Sequence, residues 1–244
     1  MRASPRWLRW LVVAGTAWAQ VALAISLASD PTPRNLTLVI SIEASGAYTL
    51  LLYLARRFWL PRLARRPVAA ATALGIMNAA LVEALFLAVQ TALGAEGVAA
   101  HGNLFMDWLL TMPWYAGMVW IFVRVQRRER YSAAAVLLWG AAYEAGADGM
   151  VGGLIVPAIL GSAPAPLQHL VFLAGLAFWQ FIPVYSSMVL APAWVLEAAA
   201  ERQVEPVVPR PARFAPGLKP FLWLAIYTAY LLGVLVVMGL ANRA

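Results

Sequence analysis

The sequence predicts an all-α protein: a single polytopic membrane domain over residues 1–244, folded as a bundle of seven transmembrane helices with its N-terminus in the cytoplasm. Three observations predict it. Hydrophobic residues make up 63% of the 244 and charged residues 12%, against roughly 45–50% and 25% in an average soluble domain. The apolar residues collect into runs of the roughly 20 residues that a bilayer crossing needs. The basic residues collect in every second connection between those runs, which orients the chain by the positive-inside rule.

Taken in order, the runs predict spans at 8–29, 35–58, 67–94, 101–124, 131–157, 166–196 and 217–241. Arg2, Arg6 and Arg9 precede the first. Arg56, Arg57, Arg62, Arg65 and Arg66 separate the second from the third, and Arg124, Arg127, Arg128 and Arg130 separate the fourth from the fifth. Arg202, Arg210, Arg213 and Lys219 fall between the sixth and seventh. The other connections, around Asp30–Arg34, Ala95–Ala100 and Ser162–Ala165, carry almost no positive charge. The first span also has the basic start and small residues near Ser29 of a secretory leader. Its length, and the cytoplasmic placement it gives every later basic loop, make a retained helix the expectation. Residues 197–216, with prolines at 206, 209, 211 and 216, read as a flexible cytoplasmic linker.

Composition also excludes function classes. With no cysteine and two histidines, disulfides, thiolate metal sites, a cysteine nucleophile and a three-histidine metal site are impossible. The net charge of +7 sits in arginines beside apolar runs, where it sets topology, so no nucleic-acid partner is expected. No metal site and no glycine-rich nucleotide loop is recognisable, and no cofactor is expected. The expected location is a prokaryotic inner, or cytoplasmic, membrane, with membrane lipid as a partner; the oligomeric state is left open.

Five carboxylates fall inside predicted spans: Glu43, Glu83, Asp107, Glu144 and Asp148. Each costs about 2.5–3.5 kcal/mol near a bilayer centre, which marks such residues as functional candidates. Counted from the span ends, Glu43, Glu83, Asp107 and Asp148 share the outer half of the membrane. Glu144 and Asp148 are four apart, on one helix face; two adjacent carboxylates do not easily both ionise in a low dielectric, so at least one is expected to be protonated near neutral pH. The spans offer no lysine or arginine to pair with them. Neutral partners are expected among Asn78, Gln90, Thr111, Tyr143, Gln180, Ser186 and Ser187. Glu83, Asp107, Glu144 and Asp148 are therefore the expected catalytic residues, facing one interior space, with Glu43 and His169 as secondary candidates. His101 and His169 stand at outer span ends, and His169 is placed to relay protons to the acids.

Large aromatic residues recur in the same spans. Trp59, Trp120 and Trp194 fit an interfacial belt. Trp108, Trp114, Tyr143, Trp179 and Tyr185, with Asn78, Gln90 and Thr111, are expected to line the site. Carboxylic acids beside aromatic faces suit the making and holding of a carbocation, because the acid protonates an alkene and the ring quadrupoles stabilise the positive charge. Gly146, Gly149, Gly152 and Gly153 crowd the fifth span, and Pro113, Pro157 and Pro183 fall within or near span ends. A broken or closely packed fifth helix beside Glu144 and Asp148 is where the pocket is expected.

The stretch Glu83-Ala-Leu-Phe86-Leu-Ala-Val-Gln90-Thr91 resembles the Glu-x-x-Phe-x-x-x-Gln-Thr end of a helix in the membrane lycopene cyclases of fungi and of two-subunit bacterial enzymes. Pro166-Leu-Gln168-His169-Leu-Val-Phe172 is similar to that family's Pro-x-Glu-Glu-x-x-Phe signature, with Gln168 and His169 where the family has acids. The resemblance implies a duplicated three-helix plan with one extra helix, and non-redox, proton-initiated cyclisation of an isoprenoid end group with Glu83 as the acid. Asp107-Trp108-Leu-Leu-Thr111-Met-Pro113 is similar to the counter-ion helix of microbial rhodopsins, and Trp179-x-x-x-Pro183 resembles their ring-binding helix. A retinal Schiff base also requires a lysine buried in the last helix, and Lys219 falls at that span's edge. The expected function is thus a cyclase or isomerase acting inside the membrane on a lipophilic isoprenoid or carotenoid. The alternative is a proton-coupled transporter or sensor using the same carboxylates.

Overall fold

A computed structural model describes residues 3–159, 166–202 and 213–241. Among the described residues every regular element is helical. In chain order these are α1 (Arg6–Ser29), α2 (Pro33–Leu54), α3 (Arg56–Leu63), α4 (Pro67–Leu93), α5 (Leu104–Glu129), α6 (Ala133–Glu144), α7 (Val156–Ile159), α8 (Pro166–Phe172), α9 (Phe178–Arg202) and α10 (Lys219–Ala241). A π-helix, Ala145–Ile155, joins α6 to α7; a second, Leu173–Ala177, joins α8 to α9; and a 3₁₀ turn, Ala215–Leu218, leads into α10. Among the described residues six helices are long and apolar enough to cross a membrane: α1, α2, α4, α5, the rod Pro166–Arg202 and the rod Ala215–Val237. The chain is an all-α integral membrane protein.

Local sequence sets the ends. Thr32 accepts the Asn35 N–H, with Pro33 at the first helical position of α2. Asn103 caps α5 by accepting from Phe105 and Met106, and Ser132 caps α6 through the Ala135 N–H. Such caps satisfy amides that have no partner inside the helix. α5 turns into α6 at Arg130, whose φ of 51° is left-handed. The turn is held by Gln126, which donates to the Tyr131 carbonyl and accepts the Tyr131 N–H, both at 3.1 Å.

Three expectations need correction. The second span, expected at 35–58, ends at Leu54, and the basic Arg56–Leu63 segment forms its own short helix. Arg56 folds back to donate to the Tyr53 carbonyl at 2.9 Å, and Trp59 Nε1–H donates to the Leu52 carbonyl at 3.1 Å. The expected linker begins later, because α9 stays helical to Arg202; its residues 203–212, like the expected connection at 162–165, lie outside the described residues. The fifth expected span, 131–157, is a helical rod whose winding widens at Ala145, so that α6 alone has only 12 residues. Glycines weaken α-helix by about 1 kcal/mol each. Pro157 lacks the N–H that an α-helical bond would need, so this segment has little to hold it in α winding.

α9 is the central rod, packed against α1, α2, α4, α5 and α6. It is buried almost without interruption from Val184 to Leu196, as expected of a helix apolar on all sides. Around it α1 meets α2, α2 meets α4, α4 meets α5, α5 meets α10, α10 meets the first π segment, and α6 returns to α1. Gly75 lets α4 approach α9 closely: a side chain there would lie 2.6 Å from Val119 Cγ1 and 3.0 Å from the Met188 carbonyl oxygen. Pro113 explains how α10 docks. Having no N–H, it leaves the Leu109 carbonyl without its helical donor, and the Tyr230 hydroxyl supplies one at 2.6 Å. Trp223 Nε1–H donates to the Pro113 carbonyl at 2.8 Å.

Candidate functional site

A cavity of about 480 Å³ opens between the C-terminal half of α4, the N-terminal half of α5, the first π segment, the starts of α2 and α9, and the loop 97–100. It falls within the range of small-molecule pockets. Glu83, Glu144 and Asp148 are on its wall. So are Thr111, Tyr115 and Gln180, and the apolar side chains of Ile42, Val82, Phe86, Phe181 and Val184. Asp107 does not reach the wall; it is fully buried, with its carboxyl against that of Glu83. The four expected catalytic acids are thus brought together, three on the cavity and one in support.

Each acid is held by a different device. Asp107 sits in the first turn of α5 and accepts the His101 backbone N–H at 3.1 Å through Oδ1; its Oδ2 is buried without a donor among the described residues. Glu83 accepts the Tyr115 hydroxyl, and Glu144 accepts the Tyr185 hydroxyl. The two tyrosine rings lie 5.7 Å apart, tilted by 56°. Glu144 is 3% exposed and adjoins Asp148. Asp148 is exposed onto the cavity it lines, so the space reaches its carboxylate. The result is an array running Asp107, Glu83, Tyr115, Tyr185, Glu144, Asp148, with Asp148 on the same cavity as Glu83.

The polar residues expected around the acids divide between the cavity and the scaffold. Thr111 donates to the Asp107 carbonyl at 2.9 Å and lines the cavity. Gln90 Oε1 accepts the N–H groups of Val98 and Ala99, each at 2.8 Å, and so holds the loop that forms one wall. Asn78 is structural: it accepts the Tyr48 hydroxyl at 2.9 Å and donates to the Ser187 carbonyl at 2.8 Å, tying α2, α4 and α9 together. Ser186 donates to the Pro183 carbonyl. The expected relay residue His169 donates from Nε2 to the Gly149 carbonyl at 2.6 Å, pinning the widened helix one residue from Asp148. Glu43 is exposed on the face of α2 turned away from Ser41, Ile42 and Ser45, outside the cavity.

Most of the expected aromatic lining is elsewhere. Trp114 is buried against Tyr227, with centroids 5.8 Å apart. Tyr143 donates to the Gly217 carbonyl at 2.9 Å and stacks on Trp139. Trp179 lies against Gly15 of α1, and Trp108 is half-buried with its indole N–H unpartnered among the described residues. The physical reason is rotation: Trp114 precedes Tyr115, and Tyr143 precedes Glu144, by one residue, or about 100° of helix. Of the aromatic residues expected at the site, Tyr185 alone takes part.

Sequence reasoning missed Tyr115, Phe86, Phe181 and Arg34 as site residues. Asp107, Thr111 and Tyr115 are spaced by four, and Glu83 and Phe86 by three, so each set shares a face with an expected acid. Arg34 lines the cavity from the first turn of α2, one residue ahead of the expected span. Among the described residues no group of three or more metal-ligating side chains is placed to hold a metal ion. Comparison with family models, with curated proteins and with solved structures finds no match to this chain.

Proposed function

We propose that the chain is a seven-crossing protein of a prokaryotic cytoplasmic membrane, with its N-terminus inside, and that it cyclises or isomerises a lipophilic isoprenoid by proton transfer. The observation that carries this reading is the convergence of Glu83, Glu144 and Asp148 on a cavity whose remaining wall is largely apolar and includes Phe86 and Phe181. The likeness of the Glu83–Thr91 stretch to membrane lycopene cyclases points the same way. Glu83 gives its proton to a terminal alkene, forming a C–H bond and leaving a cation on the neighbouring carbon. A second double bond of the substrate donates its π electrons to that carbon and closes the ring. Asp148, paired with Glu144, removes a proton from the carbon next to the new cation, which restores an alkene. One proton is taken up and one is released, and the acids re-equilibrate with solvent between turnovers, so the reaction is non-redox and isomeric overall. The rings of Phe86 and Phe181 stabilise the intermediate cation, and Asp107 positions Glu83 from behind.

One observation favours a second reading, a proton-coupled transporter or sensor. Arg34 stands on the same cavity wall as the acids, and a guanidinium competing with protons for carboxylates is suited to coupled binding. The deciding experiment incubates purified protein in lipid nanodiscs with an acyclic polyene such as lycopene in deuterated buffer. The enzyme reading requires a cyclic or shifted-alkene product carrying one solvent deuterium. No product, together with proton-dependent uptake into vesicles that Glu83→Gln eliminates, replaces it with the transporter reading.

A further inference from the structure

At the opposite ends of α4 and α5 from the acid cavity lies a second cleft of about 800 Å³. Five cations line it: Arg124, Arg127 and Arg128 from the last turns of α5, Arg213 ahead of α10 and Lys219 at its first position. Glu129 is the one carboxylate among its lining residues, and it is engaged by the backbone N–H of Arg213 at 3.0 Å. Tyr131 anchors the same residue by donating to the Arg213 carbonyl at 2.5 Å. Arg124 is held in place, its guanidinium 3.7 Å from the Trp120 ring centroid and donating to the Trp120 carbonyl at 3.0 Å. Arg128 and Lys219 have no ion-pair partner among the described residues. The rest of the lining is largely apolar and includes Val68, Trp120, Ile121 and Val125.

A cleft lined by cations and apolar side chains together fits an amphiphile with a charged head. Guanidinium groups match phosphate oxygens in geometry as well as charge, and basic pockets between membrane helices are recurrent phospholipid sites. We propose that this cleft binds a phosphate group carried on an apolar tail, with Arg124, Arg128 and Lys219 on the phosphate and Trp120 and Ile121 against the first carbons of the tail. The phosphate chemistry is shared by an anionic membrane lipid and a soluble polyphosphate; the apolar residues in the lining assign the lipid.

Native mass spectrometry of the full chain in detergent tests this, with phosphatidylglycerol, phosphatidylcholine and inorganic pyrophosphate as separate probes. Saturable binding of one phosphatidylglycerol, with phosphatidylcholine and pyrophosphate both much weaker, is the expected result. Each cation near a membrane surface contributes roughly a fivefold factor to such binding, so Arg128→Gln with Lys219→Gln is expected to weaken it roughly 25-fold. Arg57→Gln with Arg65→Gln removes the same charge from the same end of the bundle outside the cleft, and is expected to leave binding unchanged. Equal weakening by the two pairs overturns the site in favour of diffuse surface attraction. Equal binding of phosphatidylcholine overturns the recognition of phosphate charge, and pyrophosphate binding as tight as phosphatidylglycerol overturns the lipid assignment.

Discussion

Glu83→Gln and Glu83→Leu separate the chemistry of the proposed acid from its part in the fold. In the wild type the Glu83 carboxyl accepts the Tyr115 hydroxyl and lies against Asp107, whose Oδ2 has no donor among the described residues. Glutamine keeps an oxygen for Tyr115 and brings an N–H₂ group that can donate to Asp107, so the polar network stays satisfied. The change in stability is expected to stay within about 0.5 kcal/mol. Leucine strands the Tyr115 hydroxyl at about 1–3 kcal/mol, and the thermal midpoint should fall by roughly 2–12 °C. Activity should behave differently. Both variants lack a transferable proton, and a general acid contributes about 10²–10⁴ in rate, so both should lose product formation by that factor. Thermal unfolding in detergent and product formation in nanodiscs, measured on the same preparations, check the two halves. Glu83→Gln with wild-type turnover refutes Glu83 as the proton donor. Glu83→Gln melting as low as Glu83→Leu refutes the hydrogen-bonding scheme around it, whatever the enzymology shows.

Phe181→Leu should slow turnover roughly 2- to 30-fold by weakening cation stabilisation and shift the product mixture, whereas Trp179→Leu, which alters the contact with α1, should lower the thermal midpoint and leave the products unchanged; chromatography of the products distinguishes the two. Tyr230→Phe leaves the Leu109 carbonyl without its donor, and a net loss of about 0.5–1.5 kcal/mol should appear as a fall of a few degrees in thermal unfolding. Tyr131 stands in the turn between α5 and α6, outside the membrane-spanning segments. Burial there, with the Glu129 charge adding to it, pushes its hydroxyl from 10.0 up to about 12. Because the folded-state value is the higher one, the stability it reflects is fully present below pH 10 and is lost as pH rises toward 12, so the thermal midpoint of Tyr131→Phe should fall less steeply than that of the wild type across that window.

The helices were legible because the bilayer imposes a length and a polarity that composition cannot disguise. The ends of α1 and α4 fall within two residues of expectation, and the residues that fix the others, Asn103, Ser132 and Thr32, are ordinary capping side chains. What resisted was the winding inside the rods. An apolar run with four glycines reads as a helix whether it winds as α or as π, since glycine presents no side chain whose phase would tell the two windings apart. The separation of α3 from α2 was hidden for a related reason. Tyr53, Leu54 and Ala55 continue the apolar run, and the break depends on where Arg56 and Trp59 return their donors to the preceding turn.

At the site, the acids were legible as a group because burying a carboxylate is expensive wherever it occurs, so sequence position alone marks the residue. Aromatic residues carry no such penalty, and selecting them by size ignored the helical phase that points Trp114 and Tyr143 about 100° away from Tyr115 and Glu144. Phase applied to the acids themselves selects the right neighbours, Tyr115 from Asp107 and Phe86 from Glu83. Arg34 was readable by a different principle. It is a positive charge in a connection that topology keeps nearly free of them, and it lies in the first turn of a helix, where the dipole disfavours a cation. Two local rules broken at one residue ask for a compensating partner. Arg34 lines the wall that carries Glu83, Glu144 and Asp148, so the residue that both rules mark as out of place is one that the cavity uses as lining.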